Sequence, residues 1–242
     1  MPYFEYFKKV DYKFGNETLP DRFTNLSLYA NVVDVVRENV AFYFDYTVSE
    51  FERPDQTSFK LYGTTDYHWT FFALNDHIRE RGWPLTNREI VAKAKADFPN
   101  TTLVTRSALA GKFKVGQTLE GVTSGATGTI VHKDLDLGQV VISNAVGTFS
   151  AGELLSSTNS DGVLEQITLQ SSSLEYLAAH HYENSAGEYV DIDPTVGPGA
   201  LVNEITNEGR YITLNDELKD IRIIKPDSVT RVINAFREAM AS

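Results

Sequence analysis

The sequence contains no cysteine, and this absence excludes several kinds of site at once. Disulfides, thiolate metal sites and cysteine nucleophiles all require that residue. No apolar run approaches the roughly 20 residues that a membrane-spanning helix needs. The first residues also lack the basic region and the apolar run of a signal peptide. We therefore expect a soluble protein without disulfides.

Basic residues are scarce in the second half of the chain. Residues 134–242 contain 17 acidic and 6 basic side chains, whereas residues 1–133 contain 16 of each. An acidic surface disfavours DNA, RNA or an anionic membrane as a partner. Two interpretations of the excess charge stay open. One is ordinary surface solubility, and the other is docking to a basic protein surface.

Recognisable catalytic motifs are also missing. The chain has no G-x-S-x-G nucleophile elbow and no HExxH zinc motif. Gly125 and Gly128 in the segment TSGATG resemble the glycines of a phosphate-binding loop. However, no Lys-Ser/Thr pair follows them, and the next residues have a strand pattern rather than a helical one. We expect no enzymatic activity, no catalytic residue and no cofactor.

Two histidines and two aspartates remain as candidates for a metal site. His180 and His181 precede Glu183, but adjacent residues of a strand point to opposite faces, so we expect the histidines not to converge. Asp191 and Asp193 lie just before a proline, where turn hydrogen bonds are the usual role of aspartate. We therefore predict no metal site.

Aromatic residues, in contrast, are abundant in an N-terminal arm that spans residues 1–23. They are too many for a solvated tail, because segments that stay unfolded are poor in aromatic residues. We expect this arm to lie on its own domain or on a neighbouring protein. Its aromatic residues are Tyr3, Phe4, Tyr6, Phe7, Tyr12, Phe14 and Phe23.

Residues 24–105 have the pattern of a mixed domain of helices and a strand. A helix capped by Thr24 or Asn25 is predicted to run to about residue 38. The alternation of apolar and polar residues over 41–50 predicts a strand with one buried face. A capping box at Thr86 predicts a further helix that ends before Pro99.

The stretch from Arg53 to Leu85 carries both tryptophans, Trp69 and Trp83. Its pattern predicts two short helices separated by Gly63, the second running from about residue 65 to residue 75. Such short helices cannot bury this much aromatic surface alone, so a strand or another protein must pack against them. Aromatic residues of an amphipathic helix are most often core, and the alternative is an interface anchor.

Residues 106–170 are rich in Gly, Ser and Thr and contain an internal repeat. The segments 111–119 and 147–155 share the pattern Gly-x-Phe-x-x-Gly at an offset of 36 residues. Each copy continues into a turn and a strand pattern, at 129–132 and at 163–168. A further strand is predicted between them at 139–143. This pattern predicts a small β module built by duplication.

The last part of the chain, residues 171–242, begins as a loop-rich region. Strands are predicted at 211–214 and at 221–224. An amphipathic helix then follows Pro226. Together with the earlier segments, this order of helices and strands predicts an α+β fold.

Two separated motifs resemble the baseplate wedge subunit of contractile-tailed bacteriophages, the gene product 53 family. The first motif comprises Arg53-Pro54-Asp55, Leu61-Tyr62-Gly63, Tyr67-x-Trp69, Leu74-Asn75-Asp76 and Trp83-Pro84. The second motif runs from Leu214-Asn215-Asp216 through Ile221-Arg222-Ile223-Ile224 to Pro226, and an amphipathic helix follows it. The strand–helix–helix part is also similar to a LysM module, with Arg53-Pro54-Asp55 in place of the Gly-Asp-Thr opening of many LysM repeats.

The resemblance implies a LysM-like strand–helix–helix domain, interrupted by the all-β repeat module and completed by a C-terminal strand and helix. It implies a structural component of the tail baseplate, in the virion, assembled in the bacterial cytoplasm. Multiple copies would join wedge, hub and tail proteins in a symmetric assembly. The alternative is a LysM-type module that binds cell-wall glycan. The residues expected to contact partners are Tyr3, Phe4, Phe7, Arg53, Tyr62, Tyr67, Trp69, Asn75, Trp83 and Phe236.

Overall fold

A computed structural model describes residues 8–16, 18–24 and 42–241, and within that part the chain is a mixture of helices and β-strands. The α+β class predicted from sequence is therefore confirmed. The chain forms two compact units. The first comprises residues 1–86 and 215–242, and the second comprises residues 87–214. The predicted domains, 24–105, 106–170 and 171–242, are each continuous in the sequence. The first unit instead combines residues from both ends of the chain.

Within the described residues, the first unit contains an N-terminal hairpin, a two-stranded sheet and four α-helices. The hairpin pairs β1 with β2, and the sheet pairs β3 with β13 in antiparallel register. The elements of this unit are β1 Lys9–Tyr12, β2 Asp21–Thr24, β3 Tyr43–Thr47, α1 Pro54–Tyr62, α2 Trp69–Leu74, α3 Asp76–Arg81, β13 Asp220–Ile224 and α6 Val229–Ala241.

Local signals account for the bounds of α1 and β13. Pro54 opens α1, where a missing N–H costs nothing, and Gly63 ends it in the left-handed conformation at φ 72°. In β13, Ile221 and Ile223 are buried on one face, whereas the charged residues Asp220 and Arg222 are exposed on the other face. The predicted strand at 221–224 is thus confirmed, and the predicted strand at 41–50 is confirmed in its central part.

The predicted helix from residue 65 to residue 75 was wrong as a continuous element. The structure has a short 3₁₀ turn, Thr65–Tyr67, followed by α2. The Thr64 side chain accepts a hydrogen bond from the Asp66 N–H at 3.2 Å and so begins the turn. The helix predicted to start at Thr24 or Asn25 lies outside the described residues.

The second unit is built around a closed six-stranded β-barrel. The strand order around the barrel is β4-β7-β6-β5-β8-β9, and all of its pairs are antiparallel. Its apolar interior includes Leu103, Phe113, Ile130 and Leu155. The barrel strands are β4 Thr101–Thr105, β5 Thr118–Gly121, β6 Thr127–Asp134, β7 Gln139–Val146, β8 Leu154–Thr158 and β9 Leu164–Leu174.

The six barrel strands form two sets of three with matching pairings, and these sets extend beyond the predicted bounds of 106–170. Exchanging β4 with β7, β5 with β8 and β6 with β9 reproduces every strand pairing. The Gly116 N–H donates to the carbonyl of Ile130 at 2.8 Å, and the Gly152 N–H donates to the carbonyl of Leu169 at 2.8 Å. Each copy therefore has three strands, and β4, which lies before the predicted start at residue 106, is the first strand of copy one.

A small sheet and two helices complete the second unit. The sheet has the strand order β11-β10-β12. The remaining elements are α4 Asn87–Asp97, a 3₁₀ turn Glu175–Leu177, β10 Ala179–Glu183, β11 Tyr189–Val190, β12 Asn203–Thr206 and α5 Asn207–Asp216. The helix predicted from the capping box at Thr86 corresponds to α4 and is confirmed.

The strand predicted at 211–214 was wrong, because those residues belong to α5. The Thr206 hydroxyl accepts a hydrogen bond from the Gly209 N–H at 3.0 Å, which is the contact expected of a helix N-cap. The Tyr211 hydroxyl donates to Asp97 at 2.9 Å and so joins α5 to α4. The cap at Thr206 is the signal in the sequence that was missed.

Candidate functional site

Seven of the ten residues expected to contact partners lie in the described part of the first unit. Tyr3, Phe4 and Phe7 lie outside the described residues. Arg53 is at the surface, where its Nε lies 3.2 Å from Asp55 Oδ1. The other six are Tyr62, Tyr67, Trp69, Asn75, Trp83 and Phe236.

The two tryptophans pack against other rings of the first unit. The Trp69 ring centroid lies 4.7 Å from that of Phe236, and Phe236 is only 4% exposed. The Trp83 centroid lies 5.8 Å from that of Phe71, and the Trp83 Nε1–H donates to the Glu52 carbonyl at 2.7 Å. Both tryptophans are partly buried. Their contacts within the unit account for most of their apolar surface.

Tyr62 and Tyr67 are also tied to the interior of this unit. Their ring centroids are 6.1 Å apart, and Tyr62 packs against Phe71 at 6.0 Å. The Tyr62 hydroxyl donates to the Ile224 carbonyl at 3.0 Å. Burial raises the pKa of Tyr62 far above its ordinary value, so the hydroxyl keeps its proton and its role as a donor.

Asn75 holds the edge of β13 by imitating a neighbouring strand. Its Nδ2–H₂ donates to the carbonyls of Phe71 and Arg222, each at 2.8 Å. Its Oδ1 accepts the Arg222 N–H at 2.8 Å. Asn215 makes the same paired contact with the Leu85 backbone, at 2.7 and 3.1 Å. Each asparagine belongs to a Leu-Asn-Asp triplet.

These contacts give the predicted residues a structural role inside the first unit. A contact with another protein stays a prediction for all of them. Among the described residues, a cluster of exposed rings lies on the β1–β2 hairpin.

The β1–β2 hairpin presents an aromatic face to solvent. Val10, Tyr12, Phe14 and Phe23 are 42, 57, 52 and 45% exposed. Phe14 lies at the centre of the cluster, with ring centroids 5.0 Å from Tyr12 and 5.6 Å from Phe23. These rings contact one another at their edges. The hairpin is therefore an apolar surface whose only described ring partners are its own.

The expectation that His180 and His181 do not converge was wrong. A β-bulge between Ala179 and His181 breaks the alternation of β10, and it brings the two Nδ1 atoms to 2.8 Å. The His181 Nε2 lies 2.9 Å from Glu183 Oε1, and the His181 ring stacks on Tyr189 at 4.6 Å. Burial, followed by the charges of nearby Arg210 and His181, lowers the pKa of His180.

The histidine pair and Glu183 form a hydrogen-bonded chain. A single proton lies between the two Nδ1 atoms, because two N–H groups cannot face each other at that distance. In the described ranges, no group of three or more His, Asp or Glu side chains is placed to hold a metal ion. Asp193 accepts the N–H and the hydroxyl of Thr195 at 2.8 and 2.7 Å, so its predicted turn role is confirmed.

The glycine-rich loop between β5 and β6 binds a carboxylate of its own chain. Glu153 accepts the N–H groups of Thr123, Ser124 and Ser150 and the Ser124 hydroxyl, at 2.6 to 3.2 Å. A Cβ on Gly121 would come within 2.7 Å of the Glu153 carboxylate oxygens. The backbone N–H groups of Thr123 and Ser124, which would face a phosphate in a nucleotide-binding loop, therefore already donate to Glu153.

We expect the Glu153→Gln variant to lose about 2 kcal/mol of barrel stability at pH 7, because charged hydrogen bonds become neutral ones. Burial alone would raise the pKa of Glu153, but the hydrogen bonds from Ser124, Ser150 and Thr123 outweigh it and the pKa is lowered. The stabilisation is therefore present above the pKa of an unfolded glutamate and is lost as pH falls through the folded pKa.

Urea unfolding of both proteins at pH 7 and at pH 4, followed by circular dichroism, checks this result. The gap between wild type and the Glu153→Gln variant should shrink at the lower pH. Glu120→Gln is the matched control, because Glu120 is exposed on the neighbouring strand β5. A gap that does not change with pH would contradict the assigned role of the carboxylate.

Comparison with known proteins does not identify a family for this chain. No protein-family model matches the chain, and no curated protein matches it. Within the described part of the chain, no helix is long and apolar enough to cross a membrane.

Proposed function

We propose that the protein is a non-enzymatic structural component of a phage tail baseplate, which joins wedge subunits to one another and to the hub or tail. The exposed aromatic face of the β1–β2 hairpin carries this proposal, because a soluble monomer rarely leaves such a cluster uncovered. Tyrosine and phenylalanine are also enriched at protein interfaces. The two sequence motifs that resemble the gene product 53 family point in the same direction.

We infer further that the first unit is LysM-like in arrangement. The chain runs from β3 into α1 and α2, and β13 then pairs antiparallel with β3. The second unit stands between the helices and β13 in the chain, as an insertion would. The side chains of Tyr62 and Asn75 satisfy backbone groups of β13 and so join the helices to the sheet.

Glycan binding of the LysM type is the second candidate function. An open groove of about 710 Å³ is lined by Asp45, Asp76, Asp220 and Arg222, among others. Polar side chains of this kind hydrogen-bond sugars, but the described lining of the groove includes no Phe, Tyr or Trp ring to stack on one. Sedimentation with purified peptidoglycan tests this candidate, and protein that stays in the supernatant removes it.

In the phage that encodes this chain, we expect purified tails to contain the protein and loss of the gene to leave tails without complete baseplates. The double variant Phe14→Ser/Phe23→Ser should give the same defect, because it removes the apolar surface of the hairpin without touching the core. Electron microscopy of purified particles is the measurement.

The matched control is Leu201→Ser, which removes an apolar side chain that is 89% exposed in a loop of the second unit. Particles of the control should have normal baseplates. Complete baseplates in the double variant, or purified tails that lack the protein, would rule out the proposed role.

A further inference from the structure

The hydrogen-bonded chain of His180, His181 and Glu183 has proton positions that its geometry fixes at neutral pH. The Glu183 carboxylate can only accept, so the His181 Nε2, which lies 2.9 Å from it, carries a proton. The His181 Nδ1 is then a lone pair, and the His180 Nδ1, at 2.8 Å, has to be the donor. His180 is therefore the Nδ1–H tautomer, and His181 is the Nε2–H tautomer.

This chain can accept one proton without breaking, but it cannot accept two. The first proton enters at the His180 Nε2, the one ring nitrogen outside the chain, and the Nδ1–H of His180 stays in place. A second proton has to enter at the His181 Nδ1, which then presents its N–H to another N–H at 2.8 Å. Both rings would also be cations in direct contact. The doubly protonated pair therefore cannot keep this geometry.

The histidine pair holds β11, which has few other contacts to keep it in place. This strand consists of Tyr189 and Val190, and it lies at the edge of its three-stranded sheet. Tyr189 is 65% exposed, and its ring stacks on the His181 ring with the two planes 3° apart. The His181 side chain is itself only 11% exposed, so a change in its position displaces the inner side of that stack.

The side chains around the pair act on its protonation in opposite directions. Glu183 and Asp134 favour a charged pair, whereas Arg210 opposes it. Burial, followed by the charge of Arg210, lowers the pKa of His180. Such a histidine stabilises the fold above the pKa of an unfolded histidine, about 6.5, and this contribution is lost as pH falls below that value. The titratable groups on the surrounding elements are Asp134 on β6, Glu183 on β10, Tyr189 on β11, Glu204 on β12 and Arg210 on α5.

We propose that His180, His181 and Glu183 form a proton-operated switch, which holds β11 at neutral pH and releases it when both imidazoles are protonated. The step consists of proton uptake from water and involves no covalent change. The closed pair holds at most one proton, whereas the released pair holds two. One proton taken up on release changes the ratio of released to closed chains about tenfold per pH unit, and two protons change it about a hundredfold. Release should therefore be steeper with pH than the titration of a single histidine.

Nuclear magnetic resonance of the full-length chain, with ¹⁵N in the histidine rings, tests the proton positions directly. The chain has five histidines, so His180→Asn and His181→Gln variants assign the two sets of ring signals. At pH 7.5 we expect the Nδ1–H tautomer for His180 and the Nε2–H tautomer for His181. This measurement needs only the wild-type chain for its result, and a His180 ring with its proton on Nε2 would overturn the proposed switch.

The backbone amide signals of Tyr189 and Val190, followed from pH 7.5 to pH 5.0, measure the release of β11. In the wild type, the ratio of released to closed chains should change by more than about tenfold per pH unit. The His180→Asn side chain keeps an N–H donor near the position of Nδ1 but takes up no proton, so its ratio should change by about tenfold at most. His132→Asn, at an exposed position of β6, is the matched control and should behave like the wild type.

Two results of the pH titration would also overturn the switch. One is a set of β11 signals that do not change between pH 7.5 and pH 5.0. The other is the same steepness in the wild type and the His180→Asn variant, because release would then not require a second proton on the pair. Both experiments use the purified full-length chain, so their outcome is independent of the proposed baseplate role.

Discussion

We expect replacement of Asn75 by alanine to lower the unfolding free energy of the first unit by about 3 kcal/mol. The change removes three hydrogen bonds of 2.8 Å, and two of them hold the outer backbone groups of Arg222. Asn75 is only 5% exposed, so water cannot easily replace its amide. The main cost is that polar backbone groups at the edge of β13 lose their partner.

Urea unfolding followed by tryptophan fluorescence measures this loss, because both tryptophans lie in the first unit. Asn75→Asp should be at least as destabilising, since a carboxylate keeps the acceptor but faces the carbonyls of Phe71 and Arg222 without a donor. Asn234→Ala, at an exposed position of α6, should change stability by less than about 0.5 kcal/mol. Equal effects at Asn75 and Asn234 would refute the role of the amide.

The elements that sequence predicted correctly are those with local signals. Gly63 after an amphipathic turn, the capping box at Thr86 and the repeated Gly-x-Phe-x-x-Gly pattern all act over a few residues. Each of these patterns indicates the conformation of the segment in which it lies. For that reason α1, α4, and the two copies of the repeat could be placed before the structure was known.

Long-range pairing is what the sequence could not supply. Thr47 and Asp220 are hydrogen-bonded although they are 173 positions apart in the sequence. The local sequence of either strand does not indicate which strand it pairs with. The first strand of each repeat copy, β4 or β7, pairs with the other copy, so repeat alignment alone misses it. The bulge at His181 depends on the partner strand β12 in the same way.

The aromatic residues show a different limit. Trp69 and Phe14 are both apolar rings in segments with a regular pattern, and composition alone cannot say which ring is core. The structure separates them, because Trp69 packs on a buried Phe236, whereas the described ring contacts of Phe14 are with other hairpin rings. Interface candidates chosen by residue type therefore fell mainly on the core of the first unit, and the hairpin cluster was named only as part of an arm.

The duplicated barrel leads to the prediction with the largest expected effect, an alanine at either repeated phenylalanine. Phe113 is fully buried and Phe149 is 6% exposed, and each follows the first glycine of its repeat copy. Removing a buried phenyl ring costs about 3 to 5 kcal/mol through lost burial and the remaining cavity. We expect both single variants to lose stability in this range, with Phe113→Ala the larger because its site is the more enclosed.

Hydrogen exchange can locate the loss as well as measure it. The strands β5 and β6 follow Phe113 in the sequence, and β8 and β9 follow Phe149. Because both rings lie in one core, we expect faster amide exchange across all six strands in either variant. Val115→Ala is the matched control, because this side chain is 63% exposed beside Phe113. Exchange that quickens only in the mutated copy would mean that the two copies are separate folding units. Quickening throughout the barrel requires one core, since each first strand pairs with the opposite copy and neither set of three strands can close without the other.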